Sequence, residues 1–134
     1  MTDVLVDSNV LLDVFTDDSE WRDWSDAMLA QSARSSRLVL NPIIYSEVSA
    51  HFDSIEDLDD ALPPNWIRRE AVPWEAAFLA GRCFLKYRRQ GGTRRSPLPD
   101  FYIGAHASVA GLTLLTRDAR RYRTYFPKLK LIAP

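Results

Sequence analysis

The chain has 134 residues, of which 46% are hydrophobic and 26% charged, and its formal net charge is −1. This is the composition of one globular domain. With one cysteine it excludes a disulfide scaffold, and with this net charge it excludes a chain that is basic throughout. The start, Met1-Thr2-Asp3, lacks the basic and apolar regions of a signal peptide, and no apolar run is long enough to span a membrane. We therefore expect a single domain over residues 1–134, in the cytoplasm and without a membrane segment.

The first part of the chain predicts two short buried strands, each followed by a helix. Val4 to Val6 and Leu38 to Leu40 are apolar runs that end at polar residues, as buried strands do. A helix is expected to begin near Asn9, which is a good N-cap, and Ser19 is expected to cap the next helix. Asn41-Pro42 is a helix-start signal after the second strand, because proline suits the first helical position.

The rest of the chain continues the alternation of helices and strands. After the helix that runs to about residue 52, the predicted order is helix, strand, helix, helix, strand, helix, strand. These elements are predicted at residues 54–62, 67–72, from 74 to the glycines at 91–92, 99–110, 112–115, from 118, and 129–132. Strands that alternate with helices indicate an α/β protein whose central sheet is mainly parallel, here with four to five short strands.

Four acidic residues stand where a predicted strand has ended or a helix has begun: Asp7, Glu47, Asp100 and Asp118. In a right-handed β-α-β unit the helix runs antiparallel to its strands, so strand ends and helix starts share one edge of the sheet. In open α/β sheets that carboxyl edge is also where ligands bind. We therefore expect the four carboxylates to meet there.

Carboxylates this close raise one another's pKa, and a hard divalent cation relieves the repulsion. Mg²⁺ and Mn²⁺ prefer oxygen ligands, and water bound to such ions can attack phosphorus. Metal-assisted hydrolysis of phosphodiester bonds is therefore the leading hypothesis. Asn9 and Thr116 each lie two residues from one of the acids, and we expect them to orient a carboxylate or a water by hydrogen bonds.

Basic residues are concentrated away from the acidic segment 51–60. Residues 82–95 carry six Lys or Arg and no acid, and another basic group spans residues 117–123. Such runs are usually solvated helix faces, but here they could also hold a polyanion beside a metal site. Arg94 and Arg95, in a predicted loop, and Arg117 are the candidates for contact with substrate phosphate.

Four segments of the chain together resemble one known family. They are Val-Asp-Ser-Asn-Val-Leu-Leu at 6–12, the helix-borne Glu47, Leu-Pro-Asp-Phe-Tyr-Ile-Gly-Ala-His-Ala at 98–107, and Leu-Leu-Thr-Arg-Asp at 114–118. In this the chain is similar to PIN domains, and in particular to VapC-type ribonuclease toxins of bacterial toxin–antitoxin pairs. The resemblance implies an α/β/α sandwich and a Mg²⁺ or Mn²⁺ site built by Asp7, Glu47, Asp100 and Asp118. It also implies endoribonuclease activity on RNA, a homodimer and a cognate antitoxin.

Other notable residues have plainer interpretations. His106 follows Asp100 by six positions, about 240° around a helix, so we expect it to point away from that carboxylate into the core or an interface. His51 shares a helix face with Glu47 but is not expected at the site. A further set of acids is interpreted as surface residues: Asp13, Asp17, Asp18, Asp23 and Asp26.

Three rival functions use a similar arrangement of acids. A receiver domain would need paired acids near the first strand and a well-placed lysine, which this chain lacks. A phosphotransferase with an aspartyl nucleophile would resemble Asp-x-Asp, whereas this chain has Asp7-Ser8-Asn9. A non-catalytic RNA- or protein-binding module on the same fold is the main alternative, although four acids would hinder the binding of a polyanion.

Overall fold

A computed structural model describes residues 2–134, in which short strands alternate with helices. The strands are β1 Val4–Val6, β2 Leu38–Leu40, β3 Ile67–Arg69, β4 Thr113–Leu115 and β5 Leu131–Ile132. The helices are α1 Ser8–Phe15, α2 Arg22–Ser35, α3 Pro42–Ser49, α4 Ile55–Ala61, α5 Trp74–Arg89, α6 Pro99–Ala110 and α7 Arg120–Tyr125. No helix among residues 2–134 has the length and apolar character needed to cross a membrane.

The five strands form one parallel sheet in the order β3-β2-β1-β4-β5. In the centre, Leu5 of β1 pairs with Val39 of β2 on one side and with Leu114 of β4 on the other. Right-handed crossovers put α1 to α4 on one face and α5 to α7 on the opposite face, because the chain reverses its direction across the sheet after β3. The prediction of an α/β protein with a mainly parallel sheet is confirmed.

Local signals explain where several helices begin and end. The Asn41 side chain accepts a hydrogen bond from the Ile44 N–H at 2.9 Å and so caps α3, as predicted. Gly111 ends α6 with φ at +68°, a conformation that glycine adopts without strain. Two predicted caps are wrong. Asp7, rather than Asn9, caps α1, and α2 begins after Trp21 without a side-chain cap from Ser19.

The core lies between the sheet and the helices on both faces. All three residues of β1 and of β2 are buried, because helices cover both sides of a parallel sheet. Gly104 lets α6 approach the ring of Phe126, since a side chain at this position would collide with that ring. Because the strands are packed on both faces, the loops that follow them start from a well-packed edge of the sheet.

Helix α5 has an exposed apolar side. Ala76, Ala80 and Cys83 face the core, whereas Trp74 and Phe78 are 89% and 65% exposed. The helical spacing of apolar residues correctly predicted the helix. That pattern consists of Trp74, Ala77, Phe78, Gly81 and Leu85, and its large side chains lie on the solvent side.

Candidate active site

Three of the four predicted acids lie together at the carboxyl edge of the sheet, and the fourth lies at the rim. Asp7 follows β1, Glu47 is on α3, and Asp100 is in the first turn of α6. They are close enough for repulsion between their charges to raise pKa values: Asp100 and Glu47 raise the pKa of Asp7, and Asp100 raises that of Glu47. Asp118, in the turn before α7, is exposed, and its charge raises the pKa of Asp100.

Asp7 is the buried centre of this acid cluster, with 4% of its surface exposed. Burial is the main reason why its pKa is raised from 3.8 to about 6; the charges of Asp100 and Glu47 act in the same direction, and hydrogen bonds from Thr116 and Tyr122 oppose the shift. Its Oδ1 accepts from the Ser8 N–H at 2.8 Å. Five neighbouring residues thus orient this carboxyl group or shift its pKa.

Glu47 and Asp100 flank Asp7 from two different helices. The Ser8 hydroxyl donates to Glu47 Oε1 at 2.9 Å, and burial, followed by repulsion from Asp100, raises the pKa of Glu47. Burial also raises the pKa of Asp100, although the Arg121 guanidinium, 3.7 Å from its Oδ2, opposes the shift. The longer side chain of Glu47 does reach back to the strand edge.

Tyr122 joins the two central aspartates and was not predicted. Its hydroxyl is 2.9 Å from Asp7 Oδ2 and 3.3 Å from Asp100 Oδ1. Burial and the two carboxylates raise the pKa of Tyr122 well above 10, so the phenol stays protonated and donates. The sequence did contain a signal for this residue. Tyr122 is an aromatic residue between Arg121 and Arg123, a pattern that predicts a buried position on the side of α7 that faces the core.

Thr116 and Asn9 form a chain of hydrogen bonds behind Asp7. The Thr116 hydroxyl lies 2.9 Å from Asp7 Oδ2, and the Asn9 amide donates to Thr116 Oγ1 at 3.3 Å. The side-chain oxygen of Asn9, Oδ1, in turn accepts a hydrogen bond from the Arg117 backbone N–H at 3.1 Å. This arrangement ties α1 to the loop after β4 and fixes the direction of the Asp7 carboxylate.

Asp13 is not a surface residue, contrary to the prediction. It is 2% exposed and accepts from Arg117 Nε at 2.9 Å, Arg117 Nη2 at 3.1 Å and the Ser25 hydroxyl at 2.7 Å. Three donors offset the cost of burying this charge. The Arg117 guanidinium, a candidate for substrate phosphate, is therefore already bound in a bidentate pair and also lies over the Trp21 ring.

The other predicted basic residues lie nearer to solvent. Arg94 and Arg95 are exposed in the loop between α5 and α6, just before the helix that carries Asp100. Arg121 lies closer to the acids, and it helps to line a cavity of about 400 Å³ together with Asp100 and Asp118. Sequence reasoning noted the basic run at 117–123 but did not single out Arg121.

The two histidines lie outside the acid cluster. His51 is exposed just beyond the end of α3. His106 is fully buried, with Nδ1 3.0 Å from Asn41 Nδ2 and Nε2 3.1 Å from Glu70 Oε1. The prediction that His106 points away from Asp100 into the core is confirmed.

The chemistry of the site fits a divalent cation. The carboxyl groups of the site are buried and have raised pKa values, so their charged form is unfavourable. A hard divalent cation, which prefers oxygen ligands, would stabilise that charged form. Within residues 2–134, no three His, Cys, Asp or Glu side chains converge as a ready-made ligand set. The fit therefore rests on the donor atoms and on the mutual repulsion of Asp7, Glu47 and Asp100.

Comparisons with known proteins agree with this architecture. The model of the PIN domain matches residues 4–127. The fold is similar to VapBC2 of Rickettsia felis bound to a promoter DNA fragment, with a TM-score of 0.73, 15% identity and 98% of each chain covered. It is also similar to VapBC-1 of nontypeable Haemophilus influenzae, with a TM-score of 0.71, 16% identity and coverage of 97% of this chain and 96% of that one. A toxin–antitoxin complex from Klebsiella pneumoniae has a TM-score of 0.66 and 20% identity, with 97% and 96% covered. A search of curated proteins found no significant match.

Proposed function

The chain belongs to the PIN-domain family, and on that premise we propose that it is a metal-dependent endoribonuclease that acts as a VapC-type toxin. The observation that carries the proposal is the acid cluster of Asp7, Glu47 and Asp100, with Asp118 at its rim. Burial and mutual repulsion raise the pKa of the three inner carboxyl groups, which is a cost to the fold that a purely structural site would avoid. Hydrolysis of RNA in the cytoplasm is the activity that best accounts for such a site.

The residues that would hold Mg²⁺ or Mn²⁺ are Asp7, Asp100 and Asp118, with Glu47 as a further ligand. When bound, the ion supplies Lewis-acid stabilisation of phosphoryl oxygens and lowers the pKa of a coordinated water. Asp7 is already oriented for this task, because the Ser8 N–H and the Thr116 hydroxyl donate to its two oxygens. Asn9 supports Thr116 from behind, the positioning role that the sequence predicted for both.

Arginines at the rim would hold the RNA across the acids. Arg121 is 44% exposed and only 3.7 Å from Asp100, so its guanidinium can bind a phosphate while it remains near that carboxylate. Arg94 and Arg95 extend the positive charge along the loop before α6. Arg117 acts differently in this proposal, because its pair with Asp13 anchors the loop that carries Thr116 and Asp118.

Protein partners form the second part of the proposal. Solved structures with this fold include toxin–antitoxin complexes, and we assign a cognate antitoxin to this chain by analogy. We also assign a homodimer, with the exposed side of α5 as its contact. Trp74, Phe78 and Leu85 are 89%, 65% and 42% exposed there, and the interfaces of homodimers are more apolar than the remaining protein surface.

The decisive experiment is cleavage of a mixed RNA pool by the purified chain with Mg²⁺ or Mn²⁺, with EDTA, and with Asp7→Asn. The matched control is Asp26→Asn, which removes an exposed carboxylate on α2. We expect metal-dependent cleavage by the chain and by Asp26→Asn, and none by Asp7→Asn. Metal binding without cleavage of any RNA would instead favour the non-catalytic binding module, and equal cleavage by Asp7→Asn would exclude the acid cluster as the active site.

A further inference from the structure

A second concave site lies at the same edge of the sheet, beyond β2 and β3. It is a cavity of about 410 Å³, within the range of sites that hold small molecules. Apolar side chains form much of its wall, and Ile55, which is 61% exposed, is one of them. The residues that line it are Leu40, Asn41, Pro42, Tyr45, Ile55, Arg69, Glu70 and Ala71.

Glu70 is the fixed polar group of this cavity. Its Oε1 lies 3.1 Å from His106 Nε2, and its Oε2 accepts from Arg68 Nη2 at 3.0 Å. A carboxylate has about four lone-pair positions, so two stay available for a ligand. The Glu70 side chain is 30% exposed, which leaves it accessible from the cavity.

The buried His106 explains why Glu70 is held so firmly. Asn41 Oδ1 accepts from the Ile44 N–H, so Asn41 Nδ2 is the donor to His106 Nδ1. Nδ1 is therefore the unprotonated nitrogen, and Nε2–H donates to Glu70. The proposed hydrolysis does not use His106. In this arrangement it is a positioning residue that aims the carboxylate.

Flat surfaces complete the site. The Arg69 guanidinium lies 5.0 Å from the centre of the Tyr45 ring and pairs with Asp59 at 2.7 Å, which fixes the guanidinium on that ring. Nucleobases stack on aromatic rings and on guanidinium planes. A base that rests against Arg69 and Ile55 would present its edge to Glu70.

We propose that this cavity binds one base of the RNA substrate, a base with N–H donors on its edge, and guanine best of all. The proposal rests on the ribonuclease function proposed above. Guanine presents two adjacent N–H donors to a carboxylate, adenine and cytosine present one amino group, and the N–H of uracil lies between two carbonyl oxygens that a carboxylate repels. The cavity is well placed for this role, because β3 lies two strands from β1, roughly 10 Å at ~4.8 Å between strands. A single RNA strand can therefore cross the acid cluster and reach the cavity a few nucleotides away.

The first test measures binding alone, without cleavage. The metal-free chain with isoleucine methyl labels is titrated with guanosine, adenosine, cytidine or uridine, none of which carries a phosphate. We expect the Ile55 methyl signal to shift most with guanosine, and the signal of Ile132, on the far strand β5, to stay in place. Glu70→Gln should weaken guanosine binding roughly tenfold, as expected for loss of a specific contact to a base edge. Glu75→Gln, in the exposed first turn of α5, is the matched control.

Two results of this titration would overturn the base site. One is an Ile55 signal that does not respond to any nucleoside. The other is an equal response to all four nucleosides in the chain and in Glu70→Gln. An Ile55 signal that moves only when the chain is concentrated would assign the cavity to a contact between two copies. Ile55→Ala tests the same surface if Glu70→Gln does not fold, and it too should reduce guanosine binding.

The second test compares cleavage sites in a random RNA pool. We expect the chain to prefer guanine at one fixed position relative to the cut. Ile55→Ala and Glu70→Gln should lose that preference roughly tenfold, while the matched control Val109→Ala, an exposed residue on α6, keeps it. Cleavage with an unchanged base preference in both variants would overturn the base site and leave the nuclease intact. A selective response to guanosine in a chain that cuts no RNA would overturn the nuclease and leave the base site intact.

Discussion

Two polar regions share the carboxyl edge of the sheet, but their charges are arranged in opposite ways. In the paired network of Asn41, His106, Glu70 and Arg68, which Arg68 extends to Asp3 before β1, each contact joins a donor to an acceptor, at 3.0 to 3.1 Å. The acid cluster instead places like charges together, and burial makes the repulsion stronger.

This difference separates a carboxylate whose charge is stabilised by partners within the chain from carboxylates whose charge is not. The paired network lowers the pKa of Glu70 through His106 and Arg68, in spite of burial, so its charged form is stabilised without a ligand. The acid cluster raises the pKa of Asp7 to about 6, so its charged form requires a cation from outside. Removal of a group should therefore have opposite effects on stability in the two regions.

The largest effect is expected for Asp100→Asn on RNA cleavage. Changes in residues that merely orient metal ligands cost about 10–100-fold in activity or affinity, so loss of a ligand should cost more than about 100-fold. The free energy of unfolding without metal should stay the same or increase, because one repelling charge is gone. Cleavage assays with Mg²⁺ and urea unfolding in EDTA measure both quantities, with Asp26→Asn as control. A large loss of stability in Asp100→Asn would contradict the proposed contrast.

The paired network should respond in the opposite way. His106→Ala removes a fully buried ring and takes away the hydrogen-bond partner of Asn41 Nδ2 and of Glu70 Oε1, so we expect the free energy of unfolding to fall by about 2–4 kcal/mol. His51→Ala is the matched control, because His51 is exposed, and it should change stability by less than about 0.5 kcal/mol. Urea unfolding measures both variants. Equal stability of the two would mean that the network contributes little to the fold.

Acidification should stabilise the metal-free chain, which is the reverse of the usual behaviour of paired carboxylates. Asp7 has a pKa of about 6 when folded and 3.8 as its ordinary value, so between these values the folded chain binds more protons. Its stability therefore increases as the pH falls. From pH 7 to pH 5 we expect a gain of about 1 kcal/mol. Glu47 and Asp100, with raised pKa values, act in the same direction. Glu70, with a lowered pKa, loses its contribution only below about pH 4.5, outside this window.

Urea unfolding in EDTA at the two pH values measures this gain. The double variant Asp7→Asn, Asp100→Asn should lose most of it and should also lose stabilisation by Mn²⁺. A gain of the same size in the double variant would assign the pH dependence to groups outside the acid cluster. Stabilisation by Mn²⁺ that persists in the double variant would place the metal elsewhere.

Patterns within short segments predicted the fold well. The apolar runs of β1 and β2, and the start of α3 at Asn41-Pro42, are local features that depend only on nearby residues in the sequence. The alternation of strands and helices, together with the rule that crossovers are right-handed, then predicted that the acids lie at the same edge of the sheet. These steps needed no knowledge of side-chain contacts.

Pairings between distant residues could not be predicted in the same way. Asp13 resembles any other acid near the end of a helix, and its burial depends on Arg117, 104 positions away. Tyr122 meets Asp7 across 115 positions, and Glu70 meets His106 across 36. The last two contacts depend on how α6 and α7 pack over the sheet, and no local pattern records that packing.

The smallest predicted effect is that of Tyr122→Phe. This variant removes a single hydroxyl group and tests whether a fixed donor in the acid cluster competes with a bound cation. Asp7 Oδ2 is bonded to both Thr116 and Tyr122, so both of its lone pairs are occupied, and a cation must use Oδ1 or displace one donor. Loss of the phenol should lower the metal-free stability by about 1 kcal/mol, the value of one buried hydrogen bond. It should also free a lone pair, so Mn²⁺ should bind a few times more tightly and raise the melting temperature more than in the unchanged chain. Calorimetric titration with Mn²⁺ measures the affinity, and Tyr102→Phe, on α6 and outside the hydrogen bonds of the cluster, is the matched control. Weaker Mn²⁺ binding in Tyr122→Phe would mean that the hydroxyl orients Asp7 for the ion, in which case the acid cluster, like the paired network, depends on a fixed donor to hold its carboxylate.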